Sequence, residues 1–163
     1  MSKIDLEFKV YTDGACKVHS TKRGGWAYKL LKVISTGEEA EWGESLGGSC
    51  DTTSQRMELT SAIKALDHLC DIFDSNPIKV TIHSDSKYLV NGFNLYLNKW
   101  NTNGWVTSSG NGVKNKDLWL QLSEYSSILD LEFKWTKGHA DDHWNNYVDK
   151  LADKACYFPA TTL

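Results

Sequence analysis

A chain of 163 residues with 40% hydrophobic, 12% aromatic and 24% charged residues has the profile of one folded domain, long enough to bury roughly 68–70% of its unfolded surface. A disordered tail and a fibre are both excluded. No apolar run approaches the ~20 residues of a membrane span, and the start Met1-Ser2-Lys3-Ile4-Asp5 lacks the apolar stretch of a secretion signal, so we expect a single domain over residues 1–163, with a core of about 6–157, working in the cytoplasm without a membrane partner.

In chain order, Leu6, Phe8 and Val10 alternate with Glu7, Lys9 and Tyr11, the period of a half-buried strand. The run ends at Thr12-Asp13-Gly14, which puts Asp13 at a strand's C-terminal end. Trp26 to Ile34 and Glu39 to Leu46 read as two further strands linked through Ser35-Thr36-Gly37, hence an antiparallel meander. Asp51-Thr52-Thr53-Ser54 offers N-caps for a long helix in which Leu59, Ala62, Ile63, Leu66, Leu69 and Phe73 recur at helical spacing, stopping before Pro77.

Lys79 to Asp85 is a short β-branched strand that also finishes on an aspartate, and a strand–helix–strand unit implies a parallel crossover. Short helices follow near Lys87–Asn91 and Leu95–Trp100, then a Gly- and Asn-rich loop from Asn101 to Val113. Asp117–Ser127 reads as a helix and Leu131–Trp135 as a fifth strand. A last helix carries Trp144, Tyr147, Val148, Leu151 and Ala155. The fold class is α/β: a mixed five-stranded sheet, an antiparallel meander then parallel strands, flanked by helices.

The 4 cysteines, Cys16, Cys50, Cys70 and Cys156, stand far apart with no C-x-x-C pair, so reduced thiols are expected. Net charge is −3, which argues against binding nucleic acid by bulk basicity. The distribution argues otherwise. Gly14–Gly37 contains no acid but holds Lys17, Lys22, Arg23, Lys29 and Lys32; Ser86–Lys116 contains none but holds Lys87, Lys99, Lys114 and Lys116, interleaved with Tyr88, Phe93, Tyr96, Trp100 and Trp105. Cations alternating with rings can track phosphates and stack on sugars and bases.

Asp13 and Asp85 each follow a strand, Glu58 lies in the first turns of the long helix, and Asp149 lies early in the last one. Singly each has an ordinary role as a turn residue, a helix-start charge or a solvated acid. Gathered together they would repel by roughly 4 kcal/mol per pair at 4 Å, and divalent cations would remove that cost. An oxygen-only donor set favours Mg²⁺ or Mn²⁺ over zinc. His139 and His143 flank Asp141-Asp142 and make no zinc-protease motif.

The strings Tyr11-Thr12-Asp13-Gly14-Ala15-Cys16, Thr52-Thr53-Ser54-Gln55-Arg56-Met57-Glu58-Leu59, Ser84-Asp85-Ser86-Lys87-Tyr88 and Trp135-Thr136-Lys137-Gly138-His139-Ala140, leading to Asn145 and Asp149, together resemble type 1 ribonuclease H of the bacterial kind. Order and spacing agree from about Phe8 to Cys156. The resemblance implies an endonuclease that cuts the RNA strand of an RNA–DNA hybrid, leaving 3′-hydroxyl and 5′-phosphate ends; a monomer is expected, because no apolar stripe is left over once the core is assigned. Asp13, Glu58, Asp85 and Asp149 would hold two Mg²⁺ ions, with Mn²⁺ as a substitute, and His139 would assist catalysis by handling protons or helping product leave.

By the same resemblance Cys16, Ser54, Gln55 and Lys87 would line the minor groove, Thr53 and Arg56 would lie near a phosphate, Trp100, Trp105, Lys114 and Asn115 would meet the DNA strand, and Asn145 would also bind substrate. Trp119 would be core. Two departures bear on affinity. Lys17 to Arg23 replaces the family's usual Gly-Asn-Pro-Gly loop, and the protrusion carries Asn101, Asn103, Ser108, Ser109 and Asn111 where lysines are common. Weaker hybrid binding with a flatter salt dependence is expected. The alternative is a hybrid-binding module without catalysis, which would be free to lose Asp13, Glu58 or Asp85. A nuclease of the same architecture acting on duplex DNA or junctions is the third reading.

Overall fold

A computed structural model describes residues 6–17, 22–73, 77–138 and 142–158. Strands β1 (Leu6–Lys17), β2 (Arg23–Val33) and β3 (Glu39–Ser49) form the antiparallel meander; helix α1 (Ser54–Ile72) then carries the chain across the sheet to β4 (Ile78–Ser84). Strand β4 pairs parallel with β1, and β5 (Asp130–Trp135) pairs parallel with β4, which gives the order β3-β2-β1-β4-β5. Between β4 and β5 run α2 (Lys87–Asn91), α3 (Leu97–Asn103) and α4 (Lys116–Ile128); α5 (His143–Ala155) follows β5.

The alternation in β1 sends Phe8 and Val10, both fully buried, into a core shared with Tyr28 and Leu30 of β2, Val80 and Ile82 of β4, and the α1 stripe Leu59, Ala62, Ile63, Leu66 and Leu69. Helix α1 starts where Thr53, extended at φ −131° and ψ 161°, accepts the Arg56 N–H on its side chain. Such a cap contributes about 1 kcal/mol. On the other sheet face α5 rests on a much smaller cluster, in which Ala27, Val148 and Ala152 are the buried members.

Two sequence expectations are corrected. Strand β1 does not stop at Gly14: it stays paired with β2 as far as Lys17↔Arg23, so Asp13 lies opposite Ala27 inside a strand. The helices near 87–91 and 95–100 are one continuous helical run, joined by a π-helical turn over Gly92–Tyr96 and extended to Asn103. The reason sits at Gly92, where a Cβ would come within 2.2 Å of the Trp119 ring, so the backbone packs directly on the buried indole.

Candidate active site

Strands β1 and β4 run side by side up to Tyr11↔His83 and then part, because β1 continues with β2 while β4 ends at Ser84. Asp13 and Asp85 stand on the two lips of that split. Helix α1 closes the third side. Gly14 lets it in: a Cβ there would lie 2.4 Å from both the Met57 carbonyl carbon and the Glu58 nitrogen. As a result Asp13, Glu58 and Asp85 each offer a carboxylate oxygen, all within 4.8 Å of one another. Asp149, midway along α5, adds a fourth carboxyl that hydrogen-bonds Asp13 and repels Glu58 and Asp85.

Like charges 4.8 Å apart repel by about 3.5 kcal/mol per pair at an effective dielectric near 20. The protein's own response is to hold protons. Burial, followed by the charges of Glu58 and Asp85, pushes the Asp13 carboxyl far above the usual carboxylate range. Glu58 is raised by burial and by Asp85, against the opposing hydrogen bonds from Asp13 and Gly14; Asp85 is raised by burial and by Asp149. Asp13 is 4% exposed, and the Glu58 Oε2 oxygen is buried with no hydrogen-bond partner among the described residues. An acceptor-only atom left unpartnered in a nest of acids fits a hard cation, as does the all-oxygen donor set.

The rim around Asp85 is braced. The Trp135 indole N–H donates to the Asp85 carbonyl at 3.1 Å, and the Thr136 N–H donates to the Ser84 carbonyl at 2.9 Å. Asn145, 3% exposed, accepts the Thr136 hydroxyl on Oδ1. Gly138, at φ 70°, passes so close that a Cβ would lie 3.5 Å from Asp85 Oδ2. His139, with Ala140 and Asp141, lies outside the described residues. Asn145 is thus a buried brace between the β5 end and α5.

The expected groove residues fall into two groups. Ser54 and Gln55 are exposed on the first turn of α1, and Lys87 is exposed at the start of α2 with its ammonium 4.9 Å from the Trp135 ring centre. Cys16 Sγ donates to the Thr52 carbonyl, holding the end of β1 against the loop that leads into α1. Arg56, by contrast, is engaged within the protein. Its guanidinium grips both Asp117 oxygens, at 3.0 and 2.8 Å, and reaches Asn115 Oδ1 at 3.3 Å. Asn115, at φ 60°, donates in turn to the Tyr88 hydroxyl, so the base of the protrusion is tied to α1.

In the protrusion Trp100 packs edge-on against Trp119, stacks with Tyr96, and meets Trp105 at 5.9 Å. Trp119 is fully buried, as expected, and Lys114 is exposed. Trp105 is held at φ 64° by N–H bonds to Asn103 Oδ1 and the Trp100 carbonyl.

The first basic window is not a free cationic surface. Lys29 is 4% exposed and bonds Glu41 and Glu44, while Lys17 pairs with Asp153. Acids distant in sequence neutralise what the local window leaves unopposed. Residues 18–21, the core of the departing loop, lie outside the described residues. Sequence reasoning missed both the Trp135 brace and the Lys29 contacts. The available signal for Lys29 was a lone lysine inside Trp26-Ala27-Tyr28-Lys29-Leu30-Leu31, where a strand interior calls for apolar residues.

Carboxylates gathered where two parallel strands part, on a mixed five-stranded sheet, make a candidate metal site. The RNase H family model matches residues 5–157. The ribonuclease H of Anaplasma marginale (strain St. Maries) is 41% identical over 143 residues, covering 88% of this chain and 86% of that one. The ribonuclease H of Francisella philomiragia is 42% identical over 148 residues, covering 89% and 88%. Among solved structures, LC9-RNase H1, a type 1 RNase H with the type 2 active-site motif, superposes with a TM-score of 0.81 at 24% identity over 96% of this chain and 74% of that one. LC11-RNase H1, in complex with RNA/DNA hybrid, superposes at 0.61 with 18% identity over 91% and 96%; both likenesses speak to the fold. The chain belongs to the RNase H family and is a ribonuclease.

Proposed function

We propose that this chain hydrolyses the RNA strand of RNA–DNA hybrids, with Asp13, Glu58, Asp85 and Asp149 holding two Mg²⁺ ions and the cut leaving 3′-hydroxyl and 5′-phosphate ends. The single observation that carries the reading is the meeting of Asp13, Glu58 and Asp85 oxygens within 4.8 Å, with Glu58 Oε2 buried and unpartnered. When bound, such a cation pair activates a water and neutralises charge on the departing 3′-oxygen.

The residues then do the placing. Asp13, buried beside Glu58 and Asp85, would have to release its proton to hold such a cation with them. The Trp135 bond to the Asp85 carbonyl and the Gly14–Glu58 contact keep the lips and the helix from moving apart, and fixed geometry is most of what a protein contributes to phosphoryl chemistry. His139, outside the described residues, would by the family resemblance handle protons or help product leave, tasks that an unperturbed imidazole suits. Ser54, Gln55, Lys87 and the Cys16 backbone read the 2′-hydroxyl-bearing minor groove, the feature that distinguishes RNA. Thr53 and Arg56 lie near a phosphate; Trp100, Trp105, Lys114 and Asn115 meet the DNA strand. The protein acts as a monomer in the cytoplasm, a setting that keeps cysteine thiols reduced. Among the described residues no helix is long and apolar enough to cross a membrane.

The test is cleavage of end-labelled hybrid, duplex RNA and duplex DNA, each with Mg²⁺ and with chelator. Cutting confined to the RNA of the hybrid, lost with chelator, and giving fragments that ligate only when a 5′-phosphate is present supports the reading. Hybrid binding without Mg²⁺-dependent cutting overturns it.

A further inference from the structure

We infer that Lys29, with the four side chains that box its ammonium, is a positioning residue for the metal-holding acids, acting through α5. The inference rests on the metal-dependent reading of the carboxylate cluster. A lysine in a strand interior is costly unless its charge is met. Here it is met on every side. Lys29 Nζ bonds Glu41 Oε1 and Glu44 Oε1, each at 2.8 Å, and lies 4.9 Å from the Trp144 ring centre and 5.4 Å from that of Tyr147. Tyr147 closes the box, its hydroxyl lying 2.9 and 2.8 Å from the two Glu44 oxygens.

Two of those walls belong to α5 and two to β3, with Lys29 on β2 between them. The box therefore fixes the first half of α5 against the sheet. It acts beside the Thr136–Asn145 bond at the start of α5 and the Lys17–Asp153 pair near its end. The apolar contact beneath α5 has the small or β-branched Ala27, Val148 and Ala152 as its fully buried members, with Tyr11, Leu46 and Leu151 packed only partly buried around them, so it holds the helix's rotation less firmly than a deeply interdigitated stripe would. Asp149 follows Tyr147 by two residues, so about 200° of helix turn separates them. Any roll that loosens Tyr147 from Glu44 also swings Asp149 relative to Asp13. A roll of about 10° moves a side-chain tip, ~5–6 Å from the axis, by about 1 Å. A misplacement of that size can cost on the order of 100-fold in rate.

Position and stability should come apart at this site. Glu41 and Glu44 have side chains 66% and 35% exposed, so replacing Lys29 by an apolar isostere strands no deeply buried charge. The variants are Lys29→Met, Tyr147→Phe and, as the conservative change, Lys29→Arg. The readouts are Mn²⁺ binding to free protein by calorimetry, the Mg²⁺ midpoint of hybrid cleavage, KM for hybrid, and Tm in chelator.

Lys29→Met is expected to keep Tm within a few degrees of wild type, weaken Mn²⁺ binding and raise the Mg²⁺ midpoint about 10-fold, and leave KM for hybrid unchanged. Lys29→Arg should recover most of the metal affinity. Tyr147→Phe, which keeps the ring and loses one hydroxyl, should show about a 3-fold effect in the same direction, and it decides the matter alone if Lys29→Met fails to fold. Metal titrations of the variants that superimpose on wild type, whatever their Tm, overturn the inference and leave the nuclease reading intact. Wild type that takes up no Mn²⁺ removes the reading on which it rests.

Discussion

Gly14 on β1 and Glu58 on α1 touch backbone to backbone: a Cβ on Gly14 would fall 2.4 Å from the Glu58 nitrogen. Strand and helix can bring their acids together because one of them has no side chain at the crossing point. Gly14→Ala must push α1 away or distort β1. We expect a loss of roughly 3 kcal/mol in stability and a loss of Mg²⁺-dependent cleavage larger than the fall in folded fraction explains. Denaturant titration beside single-turnover kinetics checks both.

Asp13 is buried among acids whose charges oppose its own. Asp13→Asn keeps the shape and is neutral without the proton uptake that burial and the neighbouring acids force on Asp13. The variant should cleave no hybrid, yet in chelator be more stable than wild type by on the order of 2 kcal/mol, less than one pairwise repulsion at this spacing. Thermal melts with and without Mg²⁺ give the check, and the stabilisation that Mg²⁺ confers on wild type should disappear.

Because Asp13, Glu58 and Asp85 all have raised pKa values, the folded state binds more protons than the unfolded one above the ordinary carboxylate value. In chelator, stability should therefore fall as pH rises from about 4 towards neutrality, by up to about 1.4 kcal/mol per pH unit for each proton of difference. Saturating Mg²⁺ should flatten that slope, since cations then do what protons did. Denaturation midpoints across that range, with and without Mg²⁺, measure it.

Lys87 is exposed at the start of α2, over the Trp135 ring, whereas Lys29 is sealed behind Glu41, Glu44 and two rings. In Ca²⁺, to hold cleavage back, Lys87→Met should reduce the slope of log K for hybrid binding against log salt by roughly one unit. Lys29→Met should leave that slope as it was. Binding isotherms at several salt concentrations separate the two.

Much of the scaffold was readable directly. The Phe8/Val10 alternation, the Thr53 cap and the Leu59–Leu69 stripe each follow from local chemistry, and each forms where the residues predict. What failed were features set by non-local partners. Asp13 looks like a strand end because the sequence shows β1's own pattern but not the β2 partner that stays beside it to Lys17 after β4 has ended. The helical run through Gly92 depended on an indole 27 positions later in the chain. Lys29 counted as part of a basic window until the fold brought Glu41 and Glu44 onto it. The acids were legible as individual candidates; periodicity had no means of joining Asp13 to Glu58, and only the family resemblance did so.

The most direct measurement is anomalous diffraction at the manganese edge from crystals of an Asp149→Asn or calcium-exchanged protein soaked with Mn²⁺ and bound to hybrid. The account predicts Mn²⁺ against Asp13, shared with Glu58 and Asp85, beside an RNA phosphate. Anomalous density confined to other parts of the surface, with those three carboxylates bonded to one another and no ion among them, would contradict it.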